Sequence, residues 1–89
     1  MYEFHYDSGH GWLKVSKQEL INLSIENKIS TFSYMHGDDV YLEEDCDAGV
    51  FQQAMDRADK EFETTAINDG DDSIIRTYDN YKARRVIWA

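Results

Sequence analysis

The sequence has no proline and a single cysteine among 89 residues, and it carries half as many bases as acids. Without proline, chain reversals must be built from glycine and from Asn, Asp and Ser. With Cys46 alone, no disulfide can form within the chain, so the fold must stand on its core, and a reducing, cytoplasmic setting suits it. No apolar run approaches the about 20 residues of a membrane span. Val86-Ile87-Trp88-Ala89 is among the longest such runs. No basic segment precedes an apolar block at the start, so no signal peptide is read. The length suits one compact domain over residues 1–89.

What is present is aromatic and acidic. Aromatics make up 13% of the residues, which argues against disorder despite the charge. Eighteen acids against nine bases give a formal net charge of −9. Such a chain is repelled by nucleic acid and by anionic lipid alike, so a basic protein is its natural complement. The charge is also concentrated: residues 38–72 hold thirteen acids and two bases, whereas residues 73–89 hold one acid and four bases.

The apolar pattern predicts hairpins separated by helices. Tyr2, Phe4 and Tyr6 alternate on one face of a strand, which places His5 on the other face, in solvent. Asp7 to Gly11 reads as a loop whose two glycines are free to take positive φ. Trp12 to Val15 resumes as a strand. Ser16 opens a helix, because Ser16 and Glu19 have the spacing of a capping box and Val15 and Leu20 that of a hydrophobic staple. The helix stops near Asn22–Asn27.

Residues 29–36 alternate again, with Phe32 and Tyr34 on one face, and Gly37-Asp38-Asp39 turns into a partner strand at Val40–Glu43. Asp45 or Asp47 caps a second helix, running to about Lys60, with Phe51, Met55, Ala58 and Phe62 as its buried stripe. Residues 62–67 favour strand, 68–72 turn, 73–78 strand, and Arg84–Trp88 can form a last strand. The order is ββαββαββ. It points to an α+β domain, an antiparallel sheet built from hairpins with two helices packed on one face.

Residues able to carry catalysis or bind metal are sparse. His5, His10, His36 and Cys46 are the candidate metal ligands or nucleophile, but none forms a close His/Cys pair of the spacing zinc prefers. Cys46 lies between Asp45 and Asp47, whose charge disfavours a thiolate. The acids around Gly70 lack the alternating carboxylates of a calcium loop. Gly9-His10-Gly11 lacks the Lys and Ser/Thr of a phosphate loop and leads into a strand. No cofactor, metal or enzyme signature is read.

The strongest feature is the acidic stretch. Its plainest reading is a solvated, solubilising face. The sharper one is an array of carboxylates that imitates nucleic-acid phosphates and occupies a basic groove on another protein. The candidate partner-binding residues are Asp38, Asp39, Glu43, Glu44, Asp45 and Asp47, followed by Asp69, Asp71 and Asp72. Most of these side chains are expected to be exposed.

Tyr6-Asp7-Ser8-Gly9-His10-Gly11-Trp12-Leu13, Ser33-Tyr34 and Tyr41-Leu42-Glu43-Glu44-Asp45-Cys46-Asp47 resemble a group of small, mostly uncharacterised acidic proteins carried by phages and plasmids. The likeness covers about the first half of the chain. By class, it implies an inhibitor of host defence, of the anti-restriction or anti-CRISPR kind, several of which mimic DNA; it assigns no role to any residue. The alternatives are a small accessory domain that self-associates through a sheet edge or its aromatics, and a metal-binding or hydrolytic domain using His5, His10, His36 or Cys46.

Overall fold

A computed structural model describes residues 1–84. Among them the element order is β1 (Tyr2–Tyr6), β2 (Gly11–Ser16), α1 (Lys17–Asn22), β3 (Tyr34–His36), β4 (Asp39–Glu43), α2 (Asp47–Arg57), β5 (Thr64–Asn68) and β6 (Asp79–Asn80). The protein is α+β, with one six-stranded sheet of order β5-β1-β2-β4-β3-β6. The sheet is mixed, not antiparallel. β5 runs parallel to β1, with Phe4 opposite Ala66, while every other pairing is antiparallel. Backbone bonds bracket the parallel ladder, from Tyr2 N–H to Glu63 C=O and from Asp69 N–H to Tyr6 C=O.

Local chemistry explains the elements. Ser16 accepts from the Glu19 backbone while Glu19 accepts from the Ser16 backbone, a complete capping box. Val15 and Leu20 enter the same core cluster, as the staple requires. Gly37 takes a φ of +60° in the β3–β4 turn. Gly11 is needed for a different reason from the one expected. Its φ is not positive; a Cβ there would lie 2.4 Å from Cζ of Phe4.

Three sequence expectations change. Residues 29–33 are not strand, and β3 starts only at Tyr34, because Ile25 and Ile29 are drawn into the core from irregular backbone. Residues 73–78 are not strand either: Ile74–Thr77 form a 3-10 turn capped by the Ser73 side chain, which accepts from Ile75 N–H. The last two strands are therefore β5 and the two-residue β6, which pairs with β3. Finally, Cys46 and not Asp45 or Asp47 occupies the N-cap of α2, with no side-chain cap bond, and Ala58 at its C-cap is exposed. The final strand expected at Arg84–Trp88 lies outside the described residues apart from Arg84, which is in no strand.

Register sorts the strand side chains. Phe4, Leu13, Val15, Val40, Leu42 and Met35 share one side of the sheet, and the main core cluster joins them to Leu20, Phe51, Ala54 and Met55. Tyr2, Phe51 and Phe62 meet edge to face, with centroids 5.3–5.5 Å apart. On the other side lie His5, Trp12, Tyr34, Tyr41 and Glu43. There a second cluster of Trp12, Tyr41 and Ile75 forms, with Tyr34 and Tyr78 against it. The 3-10 turn thus covers the sheet's second face. For this reason His5 is not in solvent; its ring lies between Glu3 and Asp69.

No helix of the described residues is long and apolar enough to cross a membrane.

Candidate functional site

The site is built at one end of the sheet by two buried aspartates. Asp7 ends β1, and its carboxylate collects five donors. Oδ1 accepts from the backbone N–H of Gly9 and His10, both at 3.0 Å. Oδ2 accepts from Ser73 N–H at 2.9 Å. Arg76 completes the set, donating Nε to Oδ2 at 2.6 Å and Nη2 to Oδ1 at 2.9 Å. The Arg76 guanidinium, and then these backbone donors, hold Asp7 far below the usual carboxylate range, although burial acts in the opposite sense. The fork also fixes Arg76, whose Cζ lies 5.3 Å from the Trp12 ring centroid.

Asp47 is the second organiser. It is 2% exposed, and it accepts from the Ser30 backbone N–H at 3.1 Å, from Ser30 Oγ at 2.7 Å and from Ser33 Oγ at 2.5 Å. Ser33 Oγ in turn accepts from Glu43 N–H at 3.0 Å. One carboxylate thereby ties residues 30–33 to the end of β4.

Between these two anchors lies a pocket of about 300 Å³, lined by His10, Trp12, Phe32, Tyr34, Glu43, Cys46 and Arg76. Trp12 and Tyr34 meet edge to face at 6.3 Å. Phe32 stands at the rim and is 68% exposed. Glu43 is only 9% exposed. Its Oε2 accepts from Asp45 N–H at 2.9 Å, while Oε1 lies 3.8 Å from His10 Nδ1, too far for a hydrogen bond. Local desolvation, then a hydrogen bond to Glu43 and the charge of that carboxylate, push the thiol of the exposed Cys46 up, so the thiol is a poor nucleophile.

The expected acidic residues fall into three groups. Glu44, Asp45, Asp71 and Asp72 are exposed and share the sheet end that carries Asp7. Glu44 N–H donates to Gly11 C=O, and Asp71 C=O accepts from Ser8 Oγ. β5 and β4, which these acids follow, are three strand spacings apart, roughly 14 Å. Asp38 and Asp39 lie at the opposite end of β4, roughly 13 Å away along the strand. Asp39 faces Lys14 there, Nζ to Oδ2 3.8 Å. The third group is turned inward, against the expectation of exposure. Asp47 serves the serines, Glu43 lines the pocket, and Asp69 binds His5 and accepts from Ser73 Oγ at 2.6 Å. Asp47 and Asp69 meet partners from distant parts of the chain, Ser30 and Ser33 for one and His5 for the other, while Glu43 accepts from the nearby Asp45 N–H.

His10 and Cys46 line the pocket, His5 lies mid-sheet, and His36 stacks on Tyr78 at 4.3 Å. Among the described residues no three His, Cys, Asp or Glu groups are placed to hold a metal ion. The pocket's aromatic walls escaped the sequence reading. The signal was there: Trp12 alternates with Leu13 and Val15, so a large apolar ring had to lie on the sheet's second face.

Compared with known protein families, curated proteins and solved structures, the chain gives no significant match.

Proposed function

We propose that this protein is a non-enzymatic inhibitor that occupies a basic surface of a nucleic-acid-handling protein, acting in the cytoplasm as a mobile-element counter-defence of the DNA-mimic type. The observation that carries this is the placement of Glu44, Asp45, Asp71 and Asp72, exposed together on one sheet end beside the exposed Phe32. Carboxylates at a rim steer a basic partner and set its register, while an aromatic group supplies the desolvated contact that charge alone lacks. The reading takes both helices to pack on the Leu13–Val40 face and the 3-10 turn to cover much of the other, leaving this end for the partner. It assigns no nucleic acid, membrane or metal as ligand.

The test is affinity capture from a bacterial lysate at low and moderate salt. Expected is a nucleic-acid-binding protein that salt releases and added duplex DNA displaces. A variant with Glu44→Lys, Asp45→Lys, Asp71→Lys and Asp72→Lys should lose it. A folded variant with unchanged capture, or capture that DNA does not compete, overturns the proposal.

One observation favours a second reading, self-association through a sheet edge. β5 is an edge strand whose five residues, Thr-Thr-Ala-Ile-Asn, carry no charge, and Thr64, Thr65 and Ala66 are exposed. By the alternation of a parallel ladder, the N–H and C=O groups of Thr64, Ala66 and Asn68 point away from β1. A concentration-dependent dimer by light scattering that Ala66→Pro abolishes supports this reading; a monomer at all concentrations removes it.

A further inference from the structure

We propose that the Trp12–Phe32–Tyr34 pocket is a receptor for one arginine side chain of the partner. The inference rests on the reading above, that a basic protein docks at this end, and names what the pocket takes.

Three features converge on a cationic, planar group. The walls are aromatic: Trp12 and Tyr34 line the pocket, and Phe32 stands over its mouth. Aromatic faces attract cations through their quadrupole, more strongly where water is excluded. The pocket also holds a nearly buried carboxylate with spare capacity. Glu43 Oε2 takes the Asp45 N–H, and its other partner is the Cys46 thiol, a weak donor; among the described residues no N–H or O–H donor reaches Oε1 within hydrogen-bonding distance, so a charged donor would be the stronger partner. Finally, the volume of about 300 Å³ is at the small end for ligand pockets, room for one long side chain.

The one cation already in the wall does not cancel this. Arg76 is held by both oxygens of Asp7, so that pair is close to neutral and Glu43 remains as the pocket's net charge. Arg76 also lies over the Trp12 ring, at 5.3 Å, the kind of stacking that a second guanidinium would repeat on a neighbouring ring. Arginine fits better than lysine. Its guanidinium is planar, stacks on rings and is weakly hydrated, so entering a half-dry aromatic pocket costs it less. The exposed Glu44 and Asp45 beside the mouth guide the same charge inward.

The experiment titrates the isotope-labelled protein with N-acetyl-arginine methylamide, with its uncharged isostere N-acetyl-citrulline methylamide and with N-acetyl-lysine methylamide. The expected result is saturable shifts of the Trp12 indole and of the Phe32 and Tyr34 amides with the arginine probe, and binding of citrulline and lysine about tenfold weaker or less, the loss of one charge-assisted contact. Glu43→Gln and Phe32→Ala should each weaken arginine binding by about the same factor. Phe32 is exposed, so that variant keeps the fold and decides the matter if Glu43→Gln does not fold. No saturable shift at Trp12, equal binding of citrulline, tighter binding of lysine, or unchanged binding by Phe32→Ala overturns the proposal. The four-lysine variant leaves the pocket walls intact and should still shift at Trp12. Capture kept in that variant overturns the acidic-rim reading while the arginine shift at Trp12 still stands, and capture by the parent protein with no saturable arginine shift overturns the pocket alone.

Discussion

Asp47 and Ser33 meet at 2.5 Å, carboxylate to hydroxyl, and this contact fixes where Phe32 stands. Ser33 is fully buried, and its hydroxyl also accepts the Glu43 backbone N–H, so the first turn of α2, the approach to β3 and the end of β4 share one polar knot. Removing the carboxylate orphans the Ser30 and Ser33 hydroxyls and the Ser30 N–H. Asp47→Ala should cost about 3 kcal/mol, since each buried group left unpaired costs about 1–3 kcal/mol. Urea melts check this. Glu44→Ala, an exposed neighbour, should stay within about 0.5 kcal/mol of the parent.

The Asp7–Arg76 fork makes a prediction about pH. The folded protein holds the Asp7 carboxyl well below its unfolded value of about 3.9. A group depressed in the folded state contributes stability that is fully present above that unfolded value and is lost as pH falls below it, toward the folded value. The urea midpoint should therefore be flat with respect to this group near neutrality and fall steadily below about pH 4. Asp7→Asn should lower the midpoint at pH 7 and shrink the drop between pH 4 and pH 2. An unchanged acid slope in Asp7→Asn would remove Asp7 as its source. Glu3 and Glu19 are shifted in the same direction and add to the acid slope in the same sense.

Caps and core give ordinary stability effects that measure how well the fold is understood. Ser16→Ala breaks the capping box of a six-residue helix and should cost about 1 kcal/mol. Phe51 is fully buried at the meeting point of Tyr2 and Phe62, so Phe51→Ala should cost about 3–5 kcal/mol. Both follow from urea melts with an unchanged slope.

Legibility in the sequence follows the range of the interactions. The Ser16–Glu19 box, the Val15–Leu20 staple and the β4 strand rest on neighbours within a few residues, and pattern alone reveals them. β5 beside β1 does not: both are short alternating runs, and nothing local states that Thr64 lies opposite Tyr2. Residues 73–78 read as strand from Ile74, Ile75 and Tyr78, yet Ile75 must pack on Trp12 while Ile74 stays exposed, and a Ser73-capped 3-10 turn does this. The same limit governs the acids. Glu44 and Asp47 look alike in sequence. Only the arrival of Ser30 and Ser33 at the start of α2 turns one inward.

That difference sets the last prediction, which concerns charge reversal within a single tetrapeptide. Glu44 is exposed, so Glu44→Lys exchanges one solvated charge for another and should change stability by no more than about 1 kcal/mol. Asp47→Lys places an ammonium where the structure leaves 2% exposure, among the Ser30 N–H and the Ser30 and Ser33 hydroxyls, groups that now donate to a carboxylate. An uncompensated buried charge costs several kcal/mol, about 3–5 when one partner of a buried pair is lost. Total stability for a chain of this size is about 5–10 kcal/mol. Asp47→Lys should accordingly be largely unfolded or melt far below the parent in circular dichroism, while Glu44→Lys melts beside it. The contrast also governs how partner binding can be probed. A reversal that includes Asp47 loses binding through loss of fold and one at Glu43 changes the pocket wall, whereas one confined to Glu44, Asp45, Asp71 and Asp72 reports on the surface itself. A cooperative, parent-like melt of Asp47→Lys would show that the Ser30–Ser33 knot does not hold the domain together in solution.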